Sequence, residues 1–295
     1  MSLALPEVRW ERWRRCAAFL ALAFLLVLSG CSALQLGYNN ADKLIQWRGG
    51  QYFGFEDEQK AEFERRVQRF LAWHRKNELP GYARVANEMA DRIARGVSQA
   101  DLAWGYDSFQ SHLRQVLNAG SGEMSDLLDS LTAAQVERFQ ERMEKENRDF
   151  AKEHGLREAP EARRAKRVKR NVERMEDWFG ALNEAQMERV ALYSNRAPLD
   201  DELRDRDRRR MQREIVAMAK AKEARKRLVQ WAAAWEQNRN PAYETARKAN
   251  LQEFYAMLLD LDKTLSPEQR GRAVKRLRGF AGDFTALATA VEGAR

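Results

Sequence analysis

Leu131-Thr132-Ala133-Ala134-Gln135-Val136-Glu137-Arg138-Phe139-Gln140-Glu141-Arg142-Met143 holds both a helix start and a helix period. The Thr132 hydroxyl is placed to accept from a first-turn N–H, and Gln135 to reach back to the N–H of Thr132. Leu131 is placed to staple against the following turn, and Val136, Phe139 and Met143 then recur at three and four, one apolar stripe of an amphipathic helix. Leu182-Asn183-Glu184-Ala185-Gln186, Leu265-Ser266-Pro267-Glu268-Gln269 and, more loosely, Phe55-Glu56-Asp57-Glu58-Gln59 repeat the start. Pro267 also suits the first helical position. Each cap contributes about 1 kcal/mol.

In chain order the first and third copies lie 127 residues apart, and the second and fourth 134. Leu127-Leu128-Asp129 and Leu258-Leu259-Asp260 precede the second and fourth copies. Two readings stand: pseudo-repeat halves over 56–180 and 181–295, or capping boxes that recur because helices need starts.

The same period runs through Phe63, Val67, Phe70 and His74; Leu102, Tyr106, Phe109 and Leu113; Val168, Val172, Met175 and Phe179; and Val274, Leu277, Phe284 and Val291. No segment alternates as a half-buried strand would, so the fold class is all-α, a multi-helix bundle. Breaks are expected at Gly49-Gly50, Pro80-Gly81, Gly96, Gly120 to Gly122, Gly155 to Pro160, Gly180, Pro198 and Pro241. Between 199 and 238 there is neither Gly nor Pro, which predicts one helix of roughly 60 Å and an elongated molecule.

Upstream, Arg9, Arg12, Arg14 and Arg15 precede an apolar run from Ala17 to Leu28, then Ser29, Gly30 and Cys31. That is a bacterial lipoprotein signal over 1–30, with Cys31 as the residue that is acylated. The run is shorter than the roughly 20 apolar residues a spanning helix needs. A membrane-proximal segment over 31–55 would then lead into a helical domain over 56–295. Cleavage removes Cys16 and acylation consumes the Cys31 thiol, so disulfides, thiolate metal sites and cysteine nucleophiles are excluded from the mature chain.

The chain carries 52 basic and 44 acidic residues, formally +8, and loss of the signal leaves 48 against 42. The excess is concentrated between Arg157 and Arg227, with 21 basic and 14 acidic residues. Export removes nucleic acid as a partner, leaving phospholipid headgroups, lipopolysaccharide phosphates, wall carboxylates and acidic polypeptides. Within that zone Arg163, Arg164, Lys166, Arg167, Lys169 and Arg170 are able to coat most of a helix circumference with positive charge, or to form a solvated face.

Candidate partner-binding residues are Tyr38, Asn39, Asn40 and Trp47 near the anchor, and Trp231 and Trp235, spaced one helical turn apart. Aromatics beside arginine suit protein recognition, while core packing is the commoner use of any one tryptophan. No phosphate loop, nucleophile elbow or zinc-helix motif occurs, and no metal or cofactor is expected. His74 shares an apolar stripe and reads as a packing histidine; His112 and His154 lie far from it in sequence. Glu56-Asp57-Glu58 and Asp200-Asp201-Glu202 read as helix-start charges.

Tyr38-Asn39-Asn40-Ala41-Asp42, Leu44-Ile45, Trp47, Tyr52-Phe53, Ala72-Trp73-His74-Arg75 and Glu78-Leu79-Pro80-Gly81-Tyr82 resemble a family of bacterial lipoproteins known only as a domain of unknown function. That resemblance implies helical structure and an envelope location, and brings no assigned activity. The Leu131 to Gln135 motif is also similar to the helix starts of periplasmic stress chaperones of the Spy and CpxP type, which implies binding of nonnative polypeptides. By resemblance to lipoproteins of double-membrane bacteria, Ser32 after the lipidated cysteine implies outer-membrane sorting. The expectation is a non-enzymatic lipoprotein facing the periplasm. It would hold the membrane through its lipid and offer a basic, amphipathic surface to unfolded polypeptides or an envelope protein. Chaperone-like client binding is preferred, with a structural or assembly partner as the alternative and a cell-wall hydrolase as the third reading.

Overall fold

The computed structural model describes residues 32–290, so the expected signal over 1–30 and the acylated Cys31 lie outside the described residues. The described chain is all-α: twelve helices and no strand. In order they are α1 (Ala33–Asn39), α2 (Ala41–Phe53), α3 (Asp57–Asn77), α4 (Leu79–Ala94), α5 (Gln99–Ser130), α6 (Ala133–Glu153), α7 (Pro160–Phe179), α8 (Glu184–Arg196), α9 (Asp201–Ala221), α10 (Ala224–Ala233), α11 (Pro241–Asp262) and α12 (Pro267–Thr289). None of them is long and apolar enough to cross a membrane.

The chain divides into a short unit ending at Ala41 and a large one beginning at Asp42. In the short unit, α1 starts where the Ser32 hydroxyl accepts from the Gln35 N–H at 3.1 Å, and stops where the Asn40 amide donates to the Leu36 carbonyl at 2.8 Å.

In the large unit the four expected helix starts are present, and they meet in pairs. Gln59 and Gln135 exchange amide hydrogen bonds at 3.1 and 2.6 Å, while Gln186 and Gln269 do the same at 2.9 and 3.0 Å. Each glutamine oxygen also accepts from the N–H of its own cap residue: Glu56, Thr132, Asn183 and Ser266, at 3.2, 2.9, 3.1 and 3.1 Å. Each amide nitrogen also donates to a carbonyl two residues before its partner's cap, at Ser130, Gly54, Thr264 and Ala181 respectively for Gln59, Gln135, Gln186 and Gln269. A capping residue thus serves as a tertiary clasp, and each clasp joins two copies from the same expected half. One clasp lies beside a core of Phe53, Leu128, Leu131, Val136 and Phe139 packed against Val216 and Met218. The other lies beside Met175, Leu182, Val190, Met257 and Leu261.

The expected long helix over 199–238 is not formed. α9 ends at Lys222, which adopts a left-handed conformation (φ 57°), and α10 begins two residues later. That conformation costs roughly 1–2 kcal/mol in a residue with a Cβ, and tertiary contacts offset it. The Asp129 carboxylate accepts from the N–H groups of Ala224 and Arg225 at 2.7 and 3.0 Å, and the Lys222 ammonium donates to the Leu131 carbonyl. The break is made by a partner 95 residues away, which no local composition records. Conversely, α2 and α5 run through Gly49-Gly50 and Gly120 to Gly122, where breaks were expected. Gly49 serves close approach: a Cβ there would fall 2.2 Å from the Phe63 ring.

α4 packs along α12 and α10 along α5. Ala83, Ala86 and Ala90 form a buried small-residue face on α4, which lets a neighbouring helix approach closely, while Gly81 lies on another side of the helix against His112.

Candidate functional site

The basic run on α7 divides by direction. Arg163 is 6 % exposed; its guanidinium donates to Glu202 at 2.7 Å and lies 3.6 Å from Asp201. One turn later Arg167 donates to the Pro198 and Ala197 carbonyls at 2.9 and 2.6 Å, closing the end of α8, and burial pushes its guanidinium below its usual range. Lys166 pairs with Glu158 at 2.5 Å. The circumferential positive coat expected from this run is therefore not formed. Arg163 and Arg167 face inward because the turn before α9 presents carboxylates and uncapped carbonyls. Arg164, Lys169 and Arg170 remain at the surface, with Lys169 3.9 Å from Glu173.

The candidate aromatics separate as well. Trp231 packs against the Phe53–Leu228 core and donates its indole N–H to Glu214 at 2.6 Å. Trp235 lies beyond the end of α10, beneath the Arg239 guanidinium at 4.6 Å. Tyr38 and Asn39 lie in the last turn of α1 and Asn40 caps it. Trp47 is 58 % exposed on α2, one turn from Leu44 at 59 %.

Two of the three histidines come together. His74 Nε2 lies 3.2 Å from the Tyr82 hydroxyl, and the Tyr82 ring stands edge-on to His112 with centroids 5.0 Å apart. His112 Nδ1 is 2.7 Å from the carboxylate of Glu78, which is fully buried. Gly81 makes room for that ring, since a Cβ there would fall 2.4 Å from it. Burial lowers the pKa of His74, as expected of a packing histidine. His154 is apart, stacked on Phe150 at 4.1 Å and 2.8 Å from Asp201. Asp201 and Glu202 are thus tied to His154 and Arg163 rather than held only as helix-start charges. Among the described residues no group of three or more His, Cys, Asp or Glu side chains is placed to hold a metal ion.

A large opening bounded by apolar side chains lies among α4, α5, α11 and α12. It has a volume of about 620 Å³; Met89, Phe109, Phe254, Phe280 and Phe284 line it, with Tyr82 and His112 on its wall. It adjoins a second region of about 280 Å³ through shared Met89, Leu102, Phe254, Leu258 and Leu277, walled by Met175, Trp178 and Phe179 of α7. We call these two regions the channel; each is near or within the ~300–1,000 Å³ range of small-molecule sites.

Through shared Tyr106, Phe109, Leu251 and Phe254 the channel also adjoins a polar chamber of about 540 Å³. Arg204 and Arg208 come to this chamber from α9, Trp235 and Arg239 from the turn after α10, and Tyr243 and Arg247 from α11. Arg239 and Arg247 share Glu244, at 2.6 and 2.7 Å, and the Arg247 bond above all holds that carboxyl down to about 2. Arg204 and Arg208 lie over the Phe150 ring at 5.4 and 4.4 Å. Arg208 Nη1 and Trp235 Nε1 are buried with no hydrogen-bond acceptor.

Leu102, Tyr106, Phe109 and Leu113, one apolar stripe of an amphipathic helix by their period, all line the channel. Arg204 and Arg208, one turn apart, were the available signal for the chamber.

The fold and this cavity define an all-helical protein with an open apolar cavity bordered by arginines. The family of unknown function DUF6279 matches residues 51–244, and the chain belongs to that family. No curated protein and no solved structure matches the chain.

Proposed function

We propose that this chain is a non-enzymatic lipoprotein of the bacterial outer membrane. It faces the periplasm, is held by acyl chains on Cys31, and receives the apolar part of an envelope component in the channel. The observation that carries the reading is the channel itself: aromatic, aliphatic and Met side chains bound a volume large enough for a ligand, Asp262 on its wall is paired with Arg270, and arginines gather in one adjoining chamber. Apolar side chains that border open space forgo contacts that a ligand restores. The signal and the cysteine supply the location.

The alternative of a fixed structural partner rests on a different surface. Leu44 and Trp47 project together from α2, and exposed apolar pairs of this kind suit protein contacts.

The two readings separate by photocrosslinking in intact cells, with benzoylphenylalanine placed at Phe109, Trp47 or Arg170. Phe109 borders both channel and chamber and is 61 % exposed, so it meets a ligand without being part of the core. Adducts from Phe109 are expected, of either lipid or many polypeptides. Silence at Phe109 with one discrete protein adduct at Trp47 would establish the structural reading instead.

A further inference from the structure

We infer that the channel and the arginine-lined chamber form one site for an anionic single-chain phospholipid, its acyl chain lying between α5 and α11 and its phosphate held by Arg204 and Arg208. This rests on the reading of the channel as the ligand-binding feature and goes on to name the ligand class.

Three observations carry it. The first is adjacency: Tyr106, Phe109, Leu251 and Phe254 belong to both the apolar channel and the polar chamber, so one molecule with two dissimilar ends spans a continuous wall. The second is the charge left over in the chamber. Arg239 and Arg247 are both engaged by Glu244, and Asp207 accepts from Arg210 and from the Asn240 N–H at 3.0 Å. Arg204 has no carboxylate within salt-bridge distance among the described residues. Arg208 Nη1 stands 3.9 Å from Asp205 Oδ1, an ion pair too long for a hydrogen bond, while Arg209 holds the other oxygen, Oδ2, at 2.8 Å. Arg204, and one helical turn away the Arg208 donor that this long pair leaves without a hydrogen bond, are thus placed to meet an anion, and planar guanidinium forks match phosphate oxygens.

The third observation is the pair of orphan donors. Arg208 Nη1 and Trp235 Nε1 are both buried, both belong to chamber-lining residues and both lack an acceptor. Buried donors are almost always satisfied, and a phosphate with several acceptor oxygens satisfies more than one at once. Volume selects among anionic amphiphiles. A chamber of about 540 Å³ is far larger than a carboxylate, which favours a glycerophosphate head over a fatty acid.

The test is native mass spectrometry of the purified full chain with lysophosphatidylglycerol, a monoacylglycerol or a fatty acid of the same acyl length, each added below its micellar concentration. One lysophosphatidylglycerol per chain is expected, bound at least about tenfold tighter than the monoacylglycerol, because charge-assisted bonds to the head are made by the first alone. The double variant Arg204→Gln, Arg208→Gln is expected to bring lysophosphatidylglycerol down to the level of the monoacylglycerol and leave the latter unchanged.

Gly105→Leu extends a side chain toward Met89, whose methyl a Cβ at 105 would already approach to 2.4 Å. It is expected to lose both adducts, with circular dichroism showing the helices intact. Where that variant unfolds, Leu277→Trp in the same wall is the substitute. Equal affinity for lysophosphatidylglycerol and monoacylglycerol, or a fatty acid bound as tightly as the phospholipid, overturns the headgroup assignment and leaves the channel reading standing. An unfolded polypeptide bound in place of every amphiphile does the same. A folded chain that takes up none of these overturns both.

Discussion

The basic run on α7 and the channel between α5 and α11 make an instructive pair. The first is a conspicuous linear feature, six basic residues within Arg163 to Arg170. Its inward arginines are used within the fold, where Arg163 anchors the start of α9 and Arg167 closes α8. The second has no linear signature, yet it gathers aromatic and aliphatic side chains from five helices around open space. The difference teaches that charge density along a chain says little about which charges remain available, because a neighbouring helix end with uncapped carbonyls or carboxylates draws guanidiniums inward.

The contrast sharpens first between the core and the channel wall. Leu261 is fully buried in the second core, so Leu261→Ala is expected to cost about 3 kcal/mol in urea unfolding. Leu102 already borders open volume, and Leu102→Ala is expected to cost about 1 kcal/mol. Equal losses would mean that the channel wall is packed like a core.

Within the basic run, Arg163→Ala is expected to cost about 2 kcal/mol, since it strips the guanidinium from Asp201 and Glu202. Arg170→Ala is expected to stay within about 0.5 kcal/mol. Similar values at both positions would break the division of α7 into inward and outward arginines.

Asp200 links the two regions, lying near Arg167 and hydrogen-bonded to Asn250 of the chamber. Burial raises its pKa, so the folded state binds a proton more readily than the unfolded chain does. Its favourable contribution is complete below the ordinary carboxylate range and is lost as pH rises through the folded value. Asp200→Asn is therefore expected to raise the urea midpoint at neutral pH and not in acid.

The smallest effect is expected at His74, whose pKa burial lowers. The stability contributed by the neutral ring is present above the usual histidine value and is lost as pH falls through the folded one. His74→Gln is expected to flatten the stability profile across that window, as read by urea midpoints at several pH values.

Much of the fold was legible because its signals are local. Thr132, Asn183, Ser266 and their glutamines mark helix starts by bonds three residues long, and the apolar stripes mark buried faces by period alone. The pairing of those glutamines across 76 and 83 residues was not legible, since one side chain serves two purposes and the motif records only the first. The break at Lys222 was missed for a related reason: its cause is Asp129, on another helix. Glycine misled in the other direction at Gly49, where the absent Cβ admits the Phe63 ring rather than ending a helix.

For the candidate site, the stripe through Leu102, Tyr106, Phe109 and Leu113 marks an apolar face of α5 without recording that it borders open volume. Periodicity reports that a face avoids water, and not whether another side chain or open volume lies opposite it. Of the candidate binding residues, Trp235 alone falls in the chamber, and its selection came from proximity to Trp231, which faces elsewhere.

The claim on which the account turns is that ligand enters the channel and does not dock on the basic helix. Crosslinking from benzoylphenylalanine at Phe109 in intact cells reads this most directly when repeated in two backgrounds, Gly105→Leu and Lys169→Glu with Arg170→Glu. The account predicts that the Phe109 adduct disappears when position 105 is filled and persists when the surface charges are reversed. An adduct that survives Gly105→Leu and vanishes with the reversed charges would contradict it.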